Sequence, residues 1–413
     1  MINYFYDAYV ILNKVYSEGS FVKQAISSTI IEEKYRSATV KTVYGVLDKD
    51  IELSYYIKEL SPKNPKLVIR TLLKISMYSM KYLKKAPYAV IDSAVELTKK
   101  LGKGGMSGFV NAVLRKFNAQ DIALPEDEIQ NLSIKYSYPD FAVKKLINDY
   151  GKETAESIMA FEDNGTYVAF FKGNGEDYLK SVGANYTKTV FDNLFYTKNF
   201  TRDSGFEKGV YTFQNIGSFA ICDTVLTGEK LIDVCSAPGG KSVNLAHKFN
   251  EVVSLELHPH RVELVKQYAE RMAVNNITAI CHDSTVTIEN YVDKFDACLC
   301  DVPCSGFGVI TDNPDIKLNR EEKSIEELNK IQQKILSSSS KYVKNGGYLY
   351  YSTCSVFKDE NQKIVDNFLL ENKNFIQEDI LTPLPHLNDG KGIQFLPHIS
   401  GGGFFVAKLK RIN

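Results

Sequence analysis

No stretch of the chain approaches the roughly 18 consecutive apolar residues that a helix needs to cross a bilayer, which leaves a membrane-spanning reading without support. Residues 1–14 lack the basic flank, apolar stretch and small-residue cleavage site of a signal peptide. Cysteine is absent before Cys222, and all seven cysteines, an odd number, lie between Cys222 and Cys354. A secreted disulfide framework distributes paired cysteines through a shorter chain, so a cytoplasmic setting is expected. Net charge is also absent, at a formal value of zero.

That zero conceals a split. Residues 1–118 carry 19 Lys and Arg against 10 Asp and Glu, a balance of +9, and the remainder carries 31 against 40, a balance of −9. Asymmetry of this kind suggests that one part of the chain meets a polyanion, although a lysine-rich solvated helix surface gives the same count. At 413 residues the chain is too long for one ordinary core.

Residues 1–118 read as a helical bundle. Apolar residues recur at three- and four-residue spacing over 5–15, 67–82 and 88–101, with breaks at Ser61-Pro62, at Ala86-Pro87 and over 102–105. A polar stretch over 118–130 reads as a linker, and 133–161 as two helices broken near Pro139. Residues 167–211 alternate better, with β-like runs at 167–171, 189–191 and 194–196. Residues 119–208 are therefore expected to form a linker and a small α+β module. From 209 to 413, short apolar runs at 230–234, 251–256, 278–281, 297–300 and 348–352 alternate with helical segments. This β-then-α rhythm implies an α/β domain with a largely parallel sheet covered on both faces, in which ligands bind beyond the carboxyl ends of the strands.

The motifs stand at those strand ends. The first is Leu231-Ile-Asp-Val-Cys-Ser-Ala-Pro-Gly-Gly-Lys-Ser242, a strand followed by a glycine turn and a helix start near Lys241. Glycines allow a ligand close approach, and a helix N-terminus offers free N–H groups. A Walker A loop shares the final Gly240-Lys241-Ser242 but requires Gly at position 235, which is Cys here. Glu256 ends the next strand, where an acid can accept hydrogen bonds from ribose hydroxyls. Asp283, after a third strand, is placed to meet an adenine amino group. Acids on successive strand ends describe a nucleoside cradle better than a phosphate site.

Two cysteine motifs follow, Asp301-Val-Pro-Cys-Ser-Gly306 and Tyr350-Tyr-Ser-Thr-Cys-Ser355. Both put a cysteine just beyond a strand, on the rim of the cradle. Cys222, Cys281, Cys298 and Cys300 read as packing residues. The spacing of Cys298, Cys300 and Cys304 fits neither usual zinc pattern, and no metal is expected.

Together these motifs resemble the RNA cytosine-5 methyltransferase superfamily, and the whole chain resembles its RsmB/Sun branch, the 16S ribosomal RNA (cytosine-5) methyltransferases. Residues 1–118 resemble the helical RNA-binding domain of the NusB family through Ala86-Pro-Tyr-Ala-Val-Ile-Asp92, Ala94-Val-Glu-Leu97 and Gly108-Phe-Val-Asn-Ala-Val-Leu-Arg115. The resemblance implies a Rossmann-like catalytic domain that binds S-adenosylmethionine through Cys235, Ser236, Ala237, Pro238, Gly239, Gly240, Lys241, Glu256, Asp283 and Asp301. It implies Cys354 as the covalent nucleophile, Cys304 as the base that takes the carbon-5 proton, and Asp301 as the acid that meets the cytosine ring. The implied partner is an unpaired cytosine of 16S rRNA, acted on by a monomer, with transfer RNA and a non-catalytic assembly role as alternatives.

The chain departs from the family pattern at four places. Phe170-Phe-Lys-Gly-Asn174 stands for Arg-x-Asn, and Thr311-Asp-Asn313 for a basic stretch. Gln214-Asn215 stands for Gln-Asp, and Gly402-Gly-Phe-Phe405 for Asp-Gly-Phe-Phe. These positions bear on RNA docking and on the choice of target nucleotide.

Overall fold

The computed structural model describes residues 2–413 apart from Asn164, Asp389 and Lys391. The chain forms two compact units, Met1–Ala160 with Ile310–Arg320, and Phe161–Val309 with Glu321–Asn413.

The first unit is helical. Helix Leu67–Lys81 is its axis, with every residue from Thr71 to Met80 buried. A helix buried all round sits inside a bundle even where its sequence includes Thr71, Lys74, Ser76 and Ser79, and this one packs against Ile2–Glu18, Glu33–Asp48, Asp50–Leu60, Pro87–Lys100 and Ser107–Ala119. Pro87 opens its helix at the first turn, where a missing N–H costs nothing. Beyond the bundle, the stretch expected as two helices is three, Glu128–Tyr136, Asp140–Tyr150 and Lys152–Met159. The chain breaks at Pro139 and again at Gly151, a second break that the sequence reading passed over.

Ile310–Arg320 lies within the sequence of the catalytic domain but groups with these helices. The Asp315 carboxylate accepts the Val22 N–H at 3.2 Å. The Lys317 ammonium is buried and donates to Asp48 Oδ1 at 2.7 Å and to the Asp48 carbonyl at 2.8 Å. Burial pulls the Lys317 ammonium below its usual pKa against the attraction of Asp48.

The second unit begins with a four-stranded antiparallel sheet, β1 (Gly165–Ala169), β2 (Tyr186–Lys188), β3 (Leu194–Lys198) and β4 (Thr212–Phe213), in the order β2-β3-β1-β4. Phe170, Phe195 and Tyr211 fill its core. The run at 189–191, expected as a strand, is the connection between β2 and β3. There the Thr189 hydroxyl donates to the Leu194 carbonyl at 2.7 Å and accepts the Phe191 N–H at 3.1 Å. A threonine that bonds its own turn overrides the β propensity of its type.

The five expected runs of the catalytic domain are β5 (Gly228–Asp233), β6 (Phe249–Glu256), β7 (Ile277–Cys281), β8 (Phe295–Asp301) and β9 (Val343–Thr353), followed by β10 (Phe375–Glu378), β11 (Leu387–Asn388), β12 (Ile393–Phe395) and β13 (Phe404–Arg411). β7-β6-β5-β8-β9 are parallel, and β13 adds antiparallel to β9. Successive residues face opposite cores. Leu231 and Val252 pack on one side with Phe219 and Ala269, while Ile232 and Val253 pack on the other with Leu336 and Phe368. Burial on both faces explains runs that are apolar without alternation. Strand order reverses at β5, which opens a crevice at the carboxyl ends of β5, β6 and β8.

Because Lys317 is the more deeply buried partner of its pair, Asp48→Ala strands a charge inside the first unit and should cost about 3–5 kcal/mol. Lys317→Met removes that charge and should cost less. Chemical denaturation of the two variants gives the order, and equal losses would count against the buried-charge account.

Candidate active site

The glycine loop after β5 is held from three sides. The N–H and hydroxyl of Ser236 both donate to the Leu255 carbonyl, at 2.9 and 3.0 Å, and the Gly239 N–H closes the turn on the Ser236 carbonyl at 2.7 Å. Gly239 has φ +107°, and a Cβ there would lie 3.2 Å from Val265 Cα, so glycine lets the loop press against helix Pro259–Arg271. The Ser284 hydroxyl donates to the Val234 carbonyl at 2.6 Å and ties the β7 loop to β5.

Glu256 is buried at the tip of β6. Its Oε1 accepts the His258 N–H at 3.2 Å and lies 3.3 Å from Arg261 Nη1. Arg261 Nη2 donates to the Ala237 carbonyl at 3.1 Å, joining the acid to the loop. Asp283 is exposed. The N–H and hydroxyl of Thr285 both donate to its Oδ1 and hold its carboxyl below the usual range. At the tip of β5 the buried Asp233 accepts the Ser242 hydroxyl at 2.6 Å, yet burial pushes its carboxyl up to about 7.

The second cluster stands on β8 and β9. Their register sets Asp301 opposite Ser352, whose hydroxyl donates to Asp301 Oδ1 at 2.8 Å. Lys241 donates to Asp301 Oδ2 at 2.7 Å. Burial pulls the Lys241 pKa down, but attraction to Asp301 outweighs it and the ammonium keeps its charge firmly. Just beyond the two strands, Cys304 Sγ lies 3.2 Å from Cys354 Sγ, both thiols half-buried. The hydrogen bond with Cys354, with burial added, raises the Cys304 thiol well above the ordinary range. The loops are also joined by backbone. The Gly308 N–H donates to the Cys354 carbonyl at 3.0 Å, and a Cβ on Gly308 would meet the Gly403 carbonyl oxygen at 1.9 Å.

The structure thus brings Asp301, Cys304, Cys354 and Lys241 together, and gathers 235–241, Glu256 and Asp283 at neighbouring strand ends. Cys222, Cys298 and Cys300 are buried, as packing residues should be, and Cys298 and Cys300 Sγ lie 3.8 Å apart. Cys281 is a correction. Expected in the core, it is exposed, because β7 is the edge of the parallel array. Sequence reasoning assigned no role to Asp233, Arg261 or Ser352. Asp233 and Ser352 sit inside the quoted motifs and were within reach, whereas Arg261 looks like any helix-surface arginine. The departure at Gln214-Asn215 has a local use. Asn215 Oδ1 accepts the Gly217 N–H at 3.0 Å and caps helix Ile216–Thr224, while Gln214 accepts from Asn244 at 2.9 Å.

Comparison with known proteins meets this geometry. Residues 224–410 match the model of the 16S rRNA methyltransferase RsmB/F family, and residues 7–119 match the NusB family. A probable ribosomal RNA small subunit methyltransferase B of Bacillus subtilis is 31% identical, over 97% of this chain and 95% of its own. The chain belongs to the RsmB family. The ribosomal RNA small subunit methyltransferase B of Photorhabdus laumondii is 26% identical over 97% of this chain and 96% of its own. Among solved structures, PH0851 superposes with a TM-score of 0.84 at 21% identity, covering 99% of this chain and 98% of its own. NSun6 from Pyrococcus horikoshii with SFG does so at 0.58 and 19% identity, over 67% of this chain and 99% of its own. Both likenesses show the fold.

Family membership makes S-adenosylmethionine the methyl donor. The residues present are compatible with it: Gly239 and Gly240 leave the loop free of bulk, and the carboxyl groups of Glu256 and Asp283 stand at the neighbouring strand ends, where they would hold its hydroxyl and amino groups. The Lys241 ammonium, which would favour a phosphate, is already paired with Asp301. No helix among the described residues is long and apolar enough to cross a membrane.

An unfolded Asp titrates near 3.9, whereas buried Asp233 does so at about 7. The native state therefore binds this proton more tightly. On this account stability is fully present below about pH 4, falls as pH rises towards 7, and is level above. Asp233→Asn should remove that slope from denaturant midpoints measured across the window. An unchanged slope would show that Asp233 is not its source.

Proposed function

We propose that this RsmB-family chain methylates carbon 5 of an unpaired cytosine in 16S rRNA through a covalent adduct on Cys354. The observation that carries this reading is the pair of thiols 3.2 Å apart beside an acid held by Lys241 and Ser352.

Carbon 5 of cytosine is a poor nucleophile. Addition of a thiolate to carbon 6 makes carbon 5 electron-rich, which splits one hard step into two easier ones. Two sulfurs at 3.2 Å cannot both carry charge at modest cost. One thiol of the pair keeps its proton, and the likeness of Ser352-Thr-Cys354-Ser355 to the family's T-C-S motif makes Cys354 the one that attacks and Cys304 the one that stays protonated. Asp301, carrying a proton at that moment, then donates it to nitrogen 3 and accepts from the exocyclic amine as negative charge develops on the ring, and it takes the proton back when the ring double bond is restored. Bound S-adenosylmethionine supplies the methyl group as an electrophile, held by 235–241, Glu256 and Asp283.

Adduct formation turns Cys354 into a neutral thioether. The thiolate charge that held the proton on Cys304 is then gone, so Cys304 can release that proton to solvent and accept the one from carbon 5. Loss of the carbon-5 proton restores the ring double bond and expels the Cys354 thiolate. A target base leaves its stack at least cost when unpaired, which favours a single-stranded site. The basic 1–118 segment suits the RNA chain around that site, and the enzyme acts as a cytoplasmic monomer.

Incubation with tritiated-methyl S-adenosylmethionine and under-modified 16S RNA, followed by bisulfite mapping, should give one protected cytosine. Label on transfer RNA alone would move the substrate, and label without bisulfite protection would exclude carbon 5. Cys354→Ala should reduce turnover to background with cofactor binding retained. Cys304→Ala should slow adduct resolution by about 10²–10⁴-fold, seen as a protein–RNA band on a denaturing gel. Normal turnover without that band would remove Cys304 from the mechanism.

A further inference from the structure

The two cysteine loops read alike, Cys304-Ser-Gly-Phe307 and Cys354-Ser-Val-Phe357, and they lie side by side residue for residue. The cysteine sulfurs are 3.2 Å apart, the Ser305 and Ser355 hydroxyl oxygens 3.2 Å apart, and the Phe307 and Phe357 ring centroids 4.9 Å apart. One fully buried side chain spans the pair from beneath. Glu360 Oε2 accepts the hydroxyls of both Ser305 and Ser355, each at 2.5 Å. Glu360 Oε1 accepts the Ser305 N–H at 2.7 Å and the Gln332 side-chain amide at 3.1 Å. That amide also donates to the Pro303 carbonyl at 2.9 Å. Glu360 thus bonds the residue that follows each cysteine, and through Gln332 it reaches the residue before Cys304.

A carboxylate at full burial is costly unless its acceptor sites are filled, and here four hydrogen bonds fill them. Such a group has one stable arrangement, which it imposes on both loops. We propose that Glu360 is a positioning residue for methyl transfer, a buried clamp that fixes the spacing of the Cys304 and Cys354 sulfurs through Ser305 and Ser355. The proposal rests on the reading of those cysteines as the reacting pair. Glu360 itself touches neither sulfur nor substrate. Its charge also adds to the proton affinity of the Cys304 thiol, after the larger influences of Cys354 and burial.

The test pairs two readouts on the full-length enzyme. The fluorogenic cross-linker dibromobimane reports whether two thiols lie close enough to be bridged, with a Cys354→Ala control for signal from the other cysteines. Single-turnover methyl transfer to 16S RNA reports the chemistry, alongside S-adenosylmethionine affinity and thermal melting. Misplacement by about 1 Å can cost 10²-fold in rate. Glu360→Ala should therefore lose on the order of 10²-fold in the methyl-transfer step, and bridge the thiols more slowly, while binding the cofactor as before. Glu360→Gln keeps the length and the two bonds to one oxygen, its NH₂ can donate to the Ser305 and Ser355 hydroxyls once they turn, and it should recover the larger part of both losses. Should Glu360→Ala fail to fold, the double variant Ser305→Ala, Ser355→Ala removes the same two arms and should show the same paired loss.

Bridging and methyl transfer at wild-type rates in Glu360→Ala or in the double variant would overturn the clamp. So would equal losses in Glu360→Gln and Glu360→Ala that track their melting temperatures. Slowed bridging with unchanged methyl transfer would overturn Glu360 as a positioning residue for methyl transfer, whereas failure of the cysteine reading itself shows separately, as turnover retained in Cys354→Ala.

Discussion

The register of β8 against β9 is the constraint on which the site depends. Parallel pairing aligns Asp301 with Ser352, so the chain leaves both strands at one level and the two cysteine loops emerge as neighbours. A one-residue slip would turn Asp301 to the opposite face of the sheet. Several contacts hold the register beyond the ladder itself. The Val302 N–H continues it by donating to the Ser352 carbonyl at 3.1 Å, and Gly308 carries the stitching past the strand ends. Sheet pairing thereby becomes sulfur proximity.

The same logic builds the cradle on the other side of β5. Loop 234–240, Glu256 and Asp283 belong to strands that pair in sequence, and short bonds from Ser236 and Ser284 lock one tip to the next. Lys241 joins the two halves. It stands in the first turn of helix Gly240–Leu245, which begins in the cofactor loop, yet its ammonium bonds Asp301 on β8. The acid expected to meet the base is thus held from the cofactor side and from β9 together.

Much of this was legible in the sequence because strand ends carry strong local signatures. The parallel strands are apolar on both faces, and a glycine turn, an acid or a cysteine follows each at the rim. The same features fixed the fold class and the positions of Cys304, Cys354 and Asp301. What could not be read were pairings between distant polar residues. Ser305 and Ser355 stand inside the two cysteine motifs, but Gln332 and Glu360 are unremarkable types in unremarkable places, and only the tertiary fold brings the four to one point. Arg261 is similar, since its partners Glu256 and Ala237 precede it in other elements. The 189–191 run misled for a different reason, because its apolar character says nothing of the Thr189 bonds that make it a turn. Cys281 misled because burial of a strand residue depends on whether its strand lies at an edge, which is set by strand order.

The two acids beside the thiols differ in exposure and in partners. Asp301 is partly exposed, and its Oδ2 and Oδ1 are held by the Lys241 ammonium and the Ser352 hydroxyl. Glu360 has no exposure, and its four partners are two hydroxyls, a side-chain amide and a backbone N–H. Beside it, Asn361 bonds the Thr353 hydroxyl at 2.6 Å and the Ser355 carbonyl at 3.0 Å, and Gln394 bonds the same carbonyl at 3.2 Å. A buried polar network of this kind is tolerated only when its members are satisfied together, because an unpaired member in a low-dielectric interior is strongly penalised. Such a network resists partial rearrangement. Rigidity below the sulfurs is what the covalent route proposed above would need, since the base would move in and out while the thiols stay in place.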